Sequence, residues 1–188
     1  MRIFGQKQGS DPGICKIQGE NILKKRIYTG FLIVCILAVY IMMFGLSAQN
    51  GLESGGLSFF LSKKLMQIAD CFEAGEWSLT ELDSRAALLQ FFVRKAAHFS
   101  EYGLLGGLEY LLACEWIQTD KKRIPLVGGI LFLSGLVDEF HQWFVPGRYA
   151  SIWDVCLDFA GGMTGMLLLL FIRRIALGRK KLLCQSNG

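Results

Sequence analysis

Four apolar blocks, at 28–46, 91–114, 124–144 and 151–172, constrain this 188-residue chain more than any other feature. Each is about 19 to 24 residues long. At about 1.5 Å of helical rise per residue, such a length crosses a hydrocarbon core about 30 Å thick. The blocks do not alternate with period two, which argues against barrel strands, and a backbone in lipid must satisfy its own hydrogen bonds, which leaves helix. Composition agrees, since 52% hydrophobic and 19% charged residues lie outside the usual range of a water-soluble domain. The first block follows Lys24, Lys25 and Arg26 as a cleaved signal core would, but it lies deep in the chain and is too long for one, so it reads as a retained helix.

Orientation follows from where the basic residues fall. Arg2, Lys7, Lys16, Lys24, Lys25 and Arg26 precede the first block, Lys121, Lys122 and Arg123 join the second to the third, and Arg173, Arg174, Arg179, Lys180 and Lys181 follow the fourth. These are fourteen of the twenty Lys and Arg residues. Four crossings put all three segments on one side, and the positive-inside bias makes that side the cytoplasm. The net charge of +4 therefore reflects topology and lends no support to a nucleic-acid partner. The six cysteines are scattered without paired spacing, so neither a redox motif nor an intramolecular disulfide is expected.

The expected fold is thus an all-α membrane protein with four transmembrane helices plus a short outer amphipathic helix between the first and second. A flexible cytoplasmic tail is expected over 1–26, a membrane domain over 27–172 with an outer loop at 47–90, and a basic cytoplasmic tail over 173–188. Within the loop, a Gly-rich turn at 51–56 precedes Leu57, Phe60, Leu61, Lys64, Leu65, Ile68 and Phe72 at helical spacing. Such a helix either lies on the membrane surface or caps the bundle.

The chemistry lies in three polar stretches. The second block opens Arg94-Lys95-Ala96-Ala97-His98-Phe99-Ser100-Glu101-Tyr102. The third ends Asp138-Glu139-Phe140-His141-Gln142, followed by Pro146-Gly147-Arg148, and the fourth begins Ser151-Ile152-Trp153-Asp154-Val155-Cys156-Leu157-Asp158. On the expected topology all three fall in the outer leaflet, roughly 5 to 15 Å from their outer ends at about 1.5 Å per residue. Arg94, His98 and Glu101 share one helix face by spacing, as do Asp138, His141 and Gln142, and Ser151, Asp154 and Asp158. A charge at membrane depth costs at least about 2.5 to 3.5 kcal/mol, so five acidic groups and two histidines at one level must pair, be hydrated or bind something. Glycines on the second, third and fourth blocks permit close helix approach deeper in the membrane.

Histidine spaced three residues from an acid, as in His98 with Glu101 and Asp138 with His141, occurs at metal sites built across helices. These four are the candidate ligands of a divalent metal, against a hydrogen-bonded ion-pair network or an anion pocket. Arg148 follows a tight Pro146-Gly147 turn, and its planar fork suits a phosphate or carboxylate. Arg94 and Lys95 either join it or anchor to lipid headgroups. Candidate ligand-binding residues are therefore Arg94, Lys95, Gln142, Arg148, Ser151, Asp158 and Gln49, and candidate catalytic residues are His98, Glu101, Asp138, Glu139, His141 and Asp154. Trp143, Tyr149 and Trp153 read as interfacial belt residues.

These motifs, together with Ser47-Ala48-Gln49 at the end of the first helix, resemble the VanZ-like family over roughly 27–172. The resemblance implies a cell-envelope membrane protein associated with resistance to the glycopeptide teicoplanin; the family carries no established biochemical activity. Two functions fit the pocket. One is an intramembrane hydrolase or transferase, with His98 or His141 as base or nucleophile, acting on a phosphorylated envelope lipid such as a lipid-linked cell-wall precursor. The other is a protein that binds or shields such a lipid, or a glycopeptide, without turnover. Two histidines, which titrate near neutral pH, favour chemistry over a pure anion clamp. A small proton-coupled transporter is a weaker third reading, with Glu109 as its inward relay.

Overall fold

A computed structural model describes residues 12–72, 75 and 77–186. The chain forms five helices, α1 (Pro12–Ser47), α2 (Gly51–Phe72), α3 (Leu79–Trp116), α4 (Asp120–Trp143) and α5 (Ile152–Ser186), with no strand among the described residues. Among the described residues, three segments are long and apolar enough to cross a membrane, Ile22–Ser47, Asp120–Trp143 and Ile152–Gly178. The α3 helix, which carries the second apolar block, is 38 residues long but falls outside that set. His98, Ser100, Glu101 and Glu109 dilute its hydropathy, and the other helices shield it, so that Tyr102, Leu105 and Tyr110 are among the most buried side chains.

The surface inverts the plan of a water-soluble bundle. Phe31, Val34 and Ile41 of α1, Leu133, Val137 and Phe140 of α4, and Leu168 and Phe171 of α5 all point outward. So large an apolar exterior is stable against hydrocarbon and not against water.

Two joints set the bundle. The α3 and α5 helices pack most extensively, because glycines bring their backbones together. A Cβ on Gly165 would collide with the Gly103 carbonyl oxygen, and one on Gly161 with that of Phe99. Such small-residue seams serve lipid-embedded helices, which lack a hydrophobic force to drive association. At one end of the bundle, Lys25 Nζ donates to the Glu115 carbonyl at 3.1 Å, while Arg123 and Arg174 both reach Asp120. The polar stretches lie at the other end, with Ser47 and Arg148.

Three expectations are corrected. Residues 12–26 belong to α1 instead of forming a flexible tail, and residues 1–11 lie outside the described residues. The 51–56 stretch is helical, with no turn there. The outer loop is also shorter than supposed, because α3 starts at Leu79, where Ser78 and Glu81 form a capping box. The expected amphipathic segment lies within α2, which packs against α3. It seats Ser58 and Ser62 against α3 and leaves Leu57, Phe60, Leu61, Leu65 and Ile68 outward.

Candidate functional site

The three polar stretches converge where α3, α4 and α5 meet the end of α1. The glycine seam draws α3 against α5, and His98 Nδ1 comes to 4.0 Å from Asp158 Oδ1. One helical turn away Lys95 pairs with Asp154. From α4, Gln142 Nε2 donates to Asp138 Oδ2 at 2.8 Å and to Ser47 Oγ at 3.3 Å, which ties the cluster to α1.

Gly147 adopts φ 75°, a left-handed conformation open to glycine, and so turns Arg148 back over the cluster. Arg148 Nε donates to the Gln49 carbonyl at 3.1 Å and Nη2 to that of Leu46 at 3.0 Å. Carbonyls do not neutralise a guanidinium. Burial first, and then the Arg94 charge, hold Arg148 below its ordinary pKa. The Asp138 and Glu139 carboxylates offset part of that loss, and the guanidinium keeps its proton.

Two cavities adjoin here. One, of about 300 Å³, is lined by Arg94, Lys95, His98, Gln142, Arg148 and Asp154 among others. The second, of about 80 Å³, is walled by Leu46, Leu57, Leu61, Val93 and Ala97. Arg94, His98 and Arg148 line both. The compartment is thus charged on one side and apolar on the other.

The expected site residues divide. His98, Asp138, Asp154, Asp158, Lys95, Gln142, Arg94 and Arg148 are brought together. Glu101 lines the apolar cavity. Glu139 accepts the Ser151 backbone N–H at 2.7 Å, which holds the start of α5, and Ser151 enters through that N–H. Gln49 contributes its carbonyl to Arg148.

Among the described residues, the His and acidic groups that could hold a metal are His98, Asp138 and Asp158. Of the four expected candidates, His98 and Asp138 belong to this group and Glu101 and His141 do not; the His141 ring packs edge-on against Phe44 with centroids 6.0 Å apart. Spacing of three puts an acid and a histidine on one face of their own helix, whereas the ligands that meet come from three helices. Ser47, 1% exposed, had been placed at the helix end without a role. Tyr40 and Ser134, which hold Glu109, had no signal beyond isolated polar tips in apolar runs.

Fold and site together define an all-helical protein of membrane character with a buried ionisable cluster at one end of the bundle. The chain belongs to the VanZ/LLP1 family, whose model matches residues 31–173. Comparisons with curated proteins and with solved structures return no match.

Proposed function

We propose that the protein crosses the cell membrane four times with both termini in the cytoplasm, and that its pocket opens to the outer leaflet and takes an amphiphilic envelope lipid by its phosphate or carboxylate head. Three crossings are the apolar segments of α1, α4 and α5. The fourth is α3, whose polar groups are screened by its neighbours. The lysine and arginine asymmetry supports the orientation.

The observation that carries the reading is the shared wall of the two cavities. Arg94, His98 and Arg148 stand between a charged compartment and an apolar one, which matches the division between headgroup and chain. Arg148 and Arg94 engage the anion, Lys95 and Gln142 line its compartment, and Leu57 and Leu61 meet the first carbons of the chain. A lipid-linked cell-wall precursor has this chemistry. Holding or altering one would connect the pocket with the glycopeptide resistance that the resemblance implies. Turnover is the second reading, favoured by His98 in the wall of both cavities, where an imidazole takes the proton of a hydroxyl that attacks the head group as its leaving oxygen departs.

Protein in lipid nanodiscs made from envelope extract, analysed by mass spectrometry, tests this. An anionic lipid enriched over the bulk extract is expected, and Arg94→Ala with Arg148→Ala should cut its retention at least about tenfold, the equivalent of roughly 1.4 kcal/mol. Folded wild type with no enriched anionic lipid would overturn the proposal. Conversion of the retained lipid on incubation separates enzyme from binder.

A further inference from the structure

Asp138 and Asp158 face one another from α4 and α5, 2% and 1% exposed. Asp138 Oδ1 and both Asp158 oxygens have no hydrogen-bond donor. Three nearby donors are directed elsewhere: Gln142 serves the other Asp138 oxygen, Lys95 pairs with Asp154, and Arg148 turns to two carbonyls, while Arg94 Nε and His141 Nδ1 are unpartnered yet bond neither carboxylate. Two buried carboxylates side by side require compensation by a proton or a cation. His98 Nδ1, 4.0 Å from Asp158 Oδ1, is beyond hydrogen-bond length.

One atom from each of His98, Asp138 and Asp158 lies within 4.8 Å of the other two. Donors bound tetrahedrally to one ion at about 2.0 to 2.2 Å stand about 3.3 to 3.6 Å apart, so side-chain rotations that draw the atoms together by up to about 1.5 Å close the set. Beside it lies a cavity of about 10 Å³ touching His98, Asp158, Glu139, Asp154 and Lys95. That is room for one atom the size of a water oxygen.

We infer that His98, Asp138 and Asp158 are the three protein ligands of a divalent-cation site with a further coordination position open toward Lys95 and Asp154. One imidazole with two carboxylates suits a first-row transition ion such as Zn²⁺ or Mn²⁺ better than Mg²⁺ or Ca²⁺, which favour oxygen alone. The three ligands come from three helices, so the ion also fastens α3, α4 and α5 together. This goes beyond the anionic-lipid reading, because retention of the ion needs no lipid.

The test strips the full chain with chelator in detergent, reloads it with Zn²⁺ or Mn²⁺ separately and removes free ion by gel filtration. About one ion per chain is expected, with a raised Tm. His98→Ala and Asp138→Asn with Asp158→Asn should each lower affinity by at least about tenfold. The wild type with Mn²⁺, read by pulsed electron paramagnetic resonance for coupling to a histidine nitrogen, decides the matter even where a variant does not fold. Arg94→Ala with Arg148→Ala should keep the ion while losing anionic lipid, so the two readings fail separately. A folded wild type that retains no ion, or Mn²⁺ without histidine coupling, overturns the site.

Discussion

Two polar clusters inside this bundle differ in how far their carboxylates are satisfied. In the first, Tyr40 of α1 donates to Glu109 of α3 at 2.9 Å and shares a 2.6 Å bond with Ser134 of α4, whose hydroxyl also reaches the Ile130 carbonyl at 2.9 Å. It holds one carboxylate oxygen of Glu109 with a hydroxyl aimed at it and leaves the other, Oε2, without a partner. In the second, Asp138 and Asp158 leave three oxygens unpartnered, while the cations nearest them face elsewhere. A buried polar group that is satisfied fixes helix register, and one that is left unsatisfied costs stability that only a ligand returns. The first cluster therefore ties α1, α3 and α4 through its hydroxyls, whereas the second brings two carboxylates together with three oxygens open.

The largest test of that contrast lies in neither cluster. Gly165→Leu puts a side chain into the Gly103 carbonyl and must spread α3 from α5. Overpacking usually costs about 1 to 3 kcal/mol, and backbone contact places this change at or above the upper end. His98 rides on α3 and Asp158 on α5, so ion and lipid retention should both vanish, while the Tyr40 cluster, made by α1, α3 and α4, persists. Thermal unfolding in detergent and ligand retention on the same sample check it; a variant with full retention shows that the seam does not position the site.

Asp158→Asn separates the clusters by sign. The asparagine amide would supply a donor to the unpartnered Asp138 Oδ1 and remove one of two like charges. The ion-free protein should gain about 1 to 3 kcal/mol while ligand retention falls. Tyr40→Phe should do the reverse, costing about 1 to 3 kcal/mol because Glu109 loses its donor. Retention should stay within about twofold, as for sites that share no partner. If Tyr40→Phe abolishes retention and leaves stability unchanged, the assignments are exchanged, and the Glu109 relay of a transporter returns.

How much of this was legible in the sequence depends on which physical scale wrote it. Three of the four apolar blocks lie in helices long and apolar enough to cross a membrane, because hydropathy over some twenty residues follows membrane thickness. It says nothing about how far a helix continues into water, and so the start of α1 and the extent of α5 were missed. The start of α3 is written as Ser78 with Glu81 three residues on, a polar signal that apolar runs do not contain. For the site, shared depth was enough to gather His98, Asp138, Asp154 and Asp158. Helical spacing failed at His141, which lies on the Asp138 face but packs its ring on Phe44 of α1. Spacing orders residues within one helix, and helix rotation against its neighbours decides which of them meet.

The smallest expected effect belongs to that capping box and serves as a control outside both clusters. Glu81 Oε2 accepts the Ser78 N–H at 2.8 Å and its hydroxyl at 2.7 Å, and Ser78 Oγ accepts the Glu81 N–H at 3.3 Å. The Ser78 side-chain bond, and then its backbone bond, hold the Glu81 carboxyl below its ordinary value of 4.5. A carboxyl depressed in the folded state contributes in full above its unfolded value and loses that contribution as pH falls through the folded one. Amide protection in the first turn of α3, corrected for intrinsic exchange, should therefore be level above pH about 4.5 and decline below it. Glu81→Gln should remove the pH step. Ligand retention should be unaffected by Glu81→Gln at neutral pH, since Arg94 lies more than three helical turns farther along α3. If retention weakens in this variant, the amino-terminal turn of α3 belongs to the site, and the boundary drawn between site and scaffold moves outward to include it.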